Sequence, residues 1–174
     1  MADDTPLPGR PRYLAFLPDF LFRTDPIKAR YVARAWVVTL VPSLLLAILI
    51  GLLAPQAQRP DIEIHGLQMV LFVTVLGPLI ETLLMIPPLL LLNRFAGAGP
   101  AVVGSALLWG VVHGLQAPVW GLVIWWPFLI FSIAMLTWRE RGLGIAILIV
   151  ALIHGLQNSV PAALLLIGGG STAA

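Results

Sequence analysis

Val70-Leu71-Phe72-Val73-Thr74-Val75-Leu76-Gly77-Pro78-Leu79-Ile80-Glu81-Thr82-Leu83-Leu84-Met85-Ile86-Pro87-Pro88-Leu89-Leu90-Leu91-Leu92 holds one charged side chain in 23 positions. Extended back to Leu67, the run is long enough to cross a hydrocarbon core of about 30 Å as a helix. In lipid a backbone must satisfy its own hydrogen bonds, so the run reads as a transmembrane helix rather than a strand. Glu81 in its middle costs a few kcal/mol to insert and therefore needs a partner or a purpose. Gly77-Pro78 before it and Pro87-Pro88 after it predict a kink or local unwinding beside the carboxylate.

Four more apolar segments flank this one: Arg34 to Ala54, Pro100 to Ala117, Val119 to Trp138, and Leu143 to Ile167. Hydrophobic residues form 59% of the 174 positions and charged residues 10%, well below the charged share of about 25% in soluble domains. The predicted fold is all-α, a polytopic transmembrane bundle of about five spans. It divides into an N-terminal cytoplasmic or interfacial tail (1–33), a helical domain (34–167) and a flexible end (168–174). The first thirty residues are polar and proline-rich, unlike a secretory leader. Within them Tyr13, Phe16, Leu17, Phe20 and Leu21 fall at near-helical spacing beside Arg12 and Arg23, a pattern suited to the membrane surface. Pro18 argues for an irregular aromatic tail instead.

Cysteine is absent, which excludes disulfides, thiolate zinc sites and a cysteine nucleophile. A net charge of +2, scattered along the chain, gives no reason to expect nucleic acid. The basic residues do orient the bundle. With the N-terminus inside, Arg10, Arg12, Arg23, Lys28, Arg30, Arg34, Arg94, Arg139 and Arg141 all fall on the cytoplasmic side, and only Arg59 falls outside. That asymmetry supports five spans with the N-terminus in and the C-terminus out.

Glu81, His113 and His154 are the only charged or histidine residues deep within the apolar segments; His65 falls in a polar loop and reads as solvated. At 1.5 Å per residue they lie roughly 18, 20 and 17 Å above the inner boundary, on three different helices. The two histidines open one repeated phrase, His113-Gly114-Leu115-Gln116 and His154-Gly155-Leu156-Gln157. Asn158 follows His154 by four positions, on the same helical face. A lone intramembrane histidine is most simply an interhelical hydrogen bond, and Gln116 and Gln157 read as polar glue. A carboxylate and two imidazoles at one depth suggest more. The Glu could act as a general base on water, with the second His and Asn158 donating to the oxyanion that forms at an attacked carbonyl. Alternatively His113, His154 and Glu81 could hold a divalent ion such as zinc.

Pro78-Leu79-Ile80-Glu81-Thr82, then Trp109-x-x-x-His113, then His154-x-x-x-Asn158 resembles the motif series of the CPBP (Abi) intramembrane proteases, which include the type II CAAX prenyl endopeptidases. Trp138-Arg139-Glu140-Arg141-Gly142 is similar to that family's short basic turn. The resemblance spans about residues 77–161. It implies an intramembrane endopeptidase of the cytoplasmic membrane of a prokaryote, acting on a peptide or membrane-protein substrate. Glu81 would activate water with His113, while His154 and Asn158 would stabilise an oxyanion or coordinate a metal. Thr82 occupies the family's second Glu position and Ile86 its Arg position. Those two departures favour an alternative, a catalytically weak or inactive scaffold that binds a protein partner. A third reading takes His113 and His154 as paired axial ligands of an electron-transfer haem.

Overall fold

The computed structural model describes residues 11–58 and 66–169, which are helical with no strand among them. Two short 3₁₀ turns, Arg12–Leu14 and Asp19–Phe22, precede α1 (Lys28–Leu53), α2 (Gly66–Leu71), α3 (Gly77–Ala96), α4 (Ala98–Gly114), α5 (Pro118–Arg139) and α6 (Leu143–Gly169). A π-turn, Phe72–Leu76, joins α2 to α3, so Gly66–Ala96 is one rod of 31 residues. Unwinding thus occurs just before Gly77-Pro78, whereas Pro87-Pro88 ride inside α3. The rod, α1, α5 and α6 are each long and apolar enough to cross a membrane. α4, at 17 residues, is the shorter fifth member, about 25 Å long. The chain is a multi-pass helical membrane bundle. The expectations for residues 1–10, for Arg59 and His65, and for 170–174 fall outside the described residues; α6 itself runs two residues into the end expected to be flexible.

Glycine sets two of the corners. Gly97 (φ +82°) is the single residue between α3 and α4, and Gly142 (φ +120°) turns α5 into α6; both backbones lie where a Cβ is disfavoured. The gap between the apolar segments ending at Leu92 and starting at Pro100 therefore narrows to Gly97, because Asn93 and Arg94 lie in the last turn of α3. α1 likewise starts at Lys28 rather than near Arg34, since long basic side chains can lie along a helix while their heads reach water.

α5 is the hub. Every residue from Pro127 to Trp138 is buried, as expected for a helix surrounded on all sides. It meets α4 through small residues: a Cβ on Gly121 would strike the Gly110 carbonyl and the Gly114 backbone, so the two helices approach closely. Lower down, the Ser132 hydroxyl lies 3.0 Å from the Ser105 hydroxyl and 3.5 Å from the Met85 sulfur, joining α5, α4 and α3. Against α1, the Trp126 indole N–H donates to the Val38 carbonyl at 2.9 Å. Pro42, four residues after Val38, has no N–H to give that carbonyl. A tryptophan from another helix replaces the missing bond.

The N-terminal segment packs on protein. Leu14, Leu17, Leu21 and Phe22 join the buried core, while Tyr13 and Phe16 stay exposed. Pro18 precedes the second 3₁₀ turn, so the segment is two turns and not one amphipathic helix. The Leu21 carbonyl accepts from the Tyr31 hydroxyl of α1 at 3.0 Å and from the Thr137 hydroxyl of α5 at 2.9 Å. Tyr13 also lies across Gly99 at the start of α4, where a Cβ would collide with its ring. All eight lysines and arginines of the described residues thus gather at one end, made by the N-terminal segment and the α3–α4 and α5–α6 corners.

Candidate functional site

Glu81, His113 and His154 meet. Glu81 Oε2 lies 3.4 Å from His154 Nε2 and 3.9 Å from His113 Nε2. Helix length explains the match in depth. Glu81 is fifteen residues before the end of α3, His113 fifteen after the start of α4, and His154 eleven after the start of α6. They stand about 22, 22 and 17 Å above the basic end. The imidazoles are enclosed, with side-chain exposures of 7% and 4%, whereas Glu81 is 30% exposed and forms the mouth.

The two rings are held differently. His113 Nδ1 is 2.9 Å from the Trp109 carbonyl, one turn earlier in α4. A carbonyl only accepts, so Nδ1 carries the hydrogen and Nε2 turns a bare lone pair toward Glu81. His154 Nδ1 is buried without a partner. A bare nitrogen is cheaper there than an N–H with nothing to accept it, which places the hydrogen on Nε2, facing the carboxylate. One ring presents an acceptor and the other a donor.

Aromatic side chains wall the cluster. Trp120 stands edge-on to His113 at 4.8 Å, Trp109 stacks on Phe128 at 4.6 Å, and Phe131 lies 4.5 Å from the His154 ring. Phe128 touches both histidines, at 5.6 Å and 5.4 Å. In the sequence Trp120 reads as an interfacial or packing residue, and neither phenylalanine stands out. The signal was present, however: positions 120, 124, 128 and 131 follow the four-four-three spacing of a single helical face.

Asn158 is one turn beyond His154, and its side-chain amide donates at 3.1 Å to the Val73 carbonyl in the π-turn. Thr82 is buried with its hydroxyl unpaired, and Ile86 packs against the core; the positions of the resembling family's second Glu and Arg are therefore turned inward among apolar groups. Gln116 is exposed at the α4–α5 corner, whereas Gln157 is buried in α6.

The donor set suits a metal poorly. Among the described residues no group of three His, Cys, Asp or Glu is arranged to hold an ion. Ligation by His154 Nε2 would force a hydrogen onto Nδ1, which has no acceptor, whereas metal-bound histidines anchor that second nitrogen. A haem iron shared by both rings would need the place beside the two Nε2 atoms that Glu81 Oε2 already holds. Searches against protein families, curated proteins and solved structures return no match to the chain.

Proposed function

We propose that the protein is an intramembrane endopeptidase in which Glu81 activates water. The observation that carries this reading is the convergence of one carboxylate and two oppositely presented imidazoles from three helices, at 3.4 Å and 3.9 Å. Glu81 and His113 Nε2 both accept, and their separation is one that a water molecule bridges better than a direct bond does. Such a water gives one hydrogen to each and turns its own lone pair outward, toward the exposed side of Glu81. As the water oxygen bonds to a peptide carbonyl carbon, Glu81 takes a proton and the carbonyl oxygen becomes an oxyanion. His154 Nε2–H donates to that oxyanion. Collapse breaks the C–N bond, and the amine leaves with the proton held by Glu81.

The resemblance to the CPBP proteases supports the same assignment for Glu81, His113 and His154. The clustering of positive charge at the far end supports a cytoplasmic N-terminus and hence a site in the outer half of the bilayer. Bilayer lipid and a peptide or membrane-protein segment are the partners this implies. The test compares membrane proteomes of cells carrying the native chain or Glu81→Gln. A peptide terminus present with the native chain and absent with the variant is the expected result, and identical termini would overturn the reading.

Thr82 and Ile86 favour a second reading, an inactive scaffold that retains a membrane partner. If purified native protein cleaves nothing and the double variant Thr82→Glu, Ile86→Arg does, this reading prevails.

A further inference from the structure

Donating to an oxyanion does not explain why the Asn158 amide is turned onto the backbone of a neighbouring helix. The hydrogen bonds of the π-turn do. In an α-helix the Val73 carbonyl would accept from the N–H of residue 77, and in a π-turn from that of residue 78. The Gly77 N–H already donates to the Phe72 carbonyl, and residue 78 is a proline without an N–H. Asn158 fills the gap at 3.1 Å. The same turn of α6 closes on the adjacent carbonyl, for a Cβ on Gly155 would lie 2.5 Å from the Thr74 oxygen. Trp126 does the equivalent for Val38 behind Pro42, another proline gap met by a side chain of a neighbouring helix.

The π-turn also sets helical phase. Met69 and Glu81 are twelve residues apart, so an unbroken α-helix would leave them about 120° out of register. One inserted residue withdraws about 100°, which brings buried Met69 of α2 and Glu81 of α3 to within about 20° of one face.

We propose that Asn158 is a positioning residue: by capping the Val73 carbonyl it holds the π-turn in place and keeps Glu81 aimed at His113 and His154. Only the description of Glu81 as the base rests on the peptidase reading. The latch itself is tested without any substrate, in full-length protein in lipid nanodiscs. Two readouts serve, amide hydrogen exchange across residues 70–80 and the rate at which a hydrophobic carbodiimide modifies Glu81. Asn158→Ala should speed exchange in the turn by about tenfold, the effect of one unmet buried hydrogen bond, and change the rate of Glu81 modification. Asn158→Leu keeps nearly the same shape without any donor and should do the same, which preserves the test if the alanine variant does not fold. Adding Pro78→Ala returns a backbone N–H to the ladder and should restore slow exchange in the Asn158→Ala background. Native exchange and labelling in Asn158→Leu would overturn the proposal, as would failure of Pro78→Ala to rescue. Loss of cleavage with both readouts native would also overturn it, by placing Asn158 on the substrate. A native protein that cleaves nothing contradicts the peptidase reading and leaves both readouts interpretable.

Discussion

His113-Gly114-Leu115-Gln116 and His154-Gly155-Leu156-Gln157 are the same four residues in two different structures. The first ends α4, where Pro118 opens the next helix; the second runs on inside α6. A Cβ on Gly114 would lie an ordinary 3.7 Å from Gly121, while one on Gly155 would collide with the Thr74 carbonyl. Gln116 is exposed and Gln157 buried. One imidazole is anchored through Nδ1 to the Trp109 carbonyl, and the other has a bare Nδ1. A repeated phrase supplied two rings at matching depth, and the surroundings made one an acceptor and the other a donor. Identical chemistry in the chain has become complementary chemistry in the site.

The largest expected effect is on cleavage. His113→Ala and His154→Ala should each lower the rate of substrate cleavage by about a hundredfold or more, the range for a lost acid–base or oxyanion group, in protein that still inserts. Full activity in either variant removes that ring from the mechanism. The asparagine substitutions separate the rings further. His113→Asn keeps an N–H for the Trp109 carbonyl and should melt near the native temperature. His154→Asn puts an amide where nothing pairs and should cost about 1–3 kcal/mol. Equal melting temperatures would erase the difference argued for Nδ1. The glycines give the next contrast. Gly155→Ala forces the π-turn and α6 apart and should cost about 1–3 kcal/mol, whereas Gly114→Ala should stay within about 0.5 kcal/mol of the native protein. The reverse order would mean that α6 does not press on the turn.

The smallest effect lies at the basic end, far from both phrases. Asp25 accepts from the Arg30 guanidinium at 2.8 Å and from the Ile27 N–H at the start of α1. The bond from Arg30 holds the Asp25 carboxyl below the usual carboxylate range. A lowered folded-state pKa gives stability that is present above the ordinary pKa, about 4, and is lost as pH falls through the folded value. Asp25→Asn should therefore cost under about 1 kcal/mol at neutral pH and nothing in strong acid. Denaturation of the purified protein across pH 2–7 checks this, and a loss that grows toward acid would contradict it.

Much of this was legible in the chain. Hydropathy located five segments, and a rise of 1.5 Å per residue sufficed to place Glu81, His113 and His154 in one layer. Gly77-Pro78 announced the unwinding, since proline removes a donor wherever it stands in a helix. What the Val73 carbonyl would then bond to was hidden, because Asn158 comes from 85 residues away. The opposed tautomers were hidden too, for they depend on which nitrogen finds a carbonyl and which finds none. The N-terminal segment was misleading in a different way. Its aromatic spacing suits the membrane surface, yet Leu14, Leu17 and Leu21 found a better apolar surface in the bundle itself, where Tyr31 and Thr137 pair the Leu21 carbonyl.

Nitrogen NMR on the native protein, labelled at histidine and assigned with His113→Asn and His154→Asn, tests the centre of the account most directly. The expected spectrum has the hydrogen of His113 on Nδ1 and that of His154 on Nε2. Two rings in the same tautomer would contradict the division of labour on which the proposed chemistry depends.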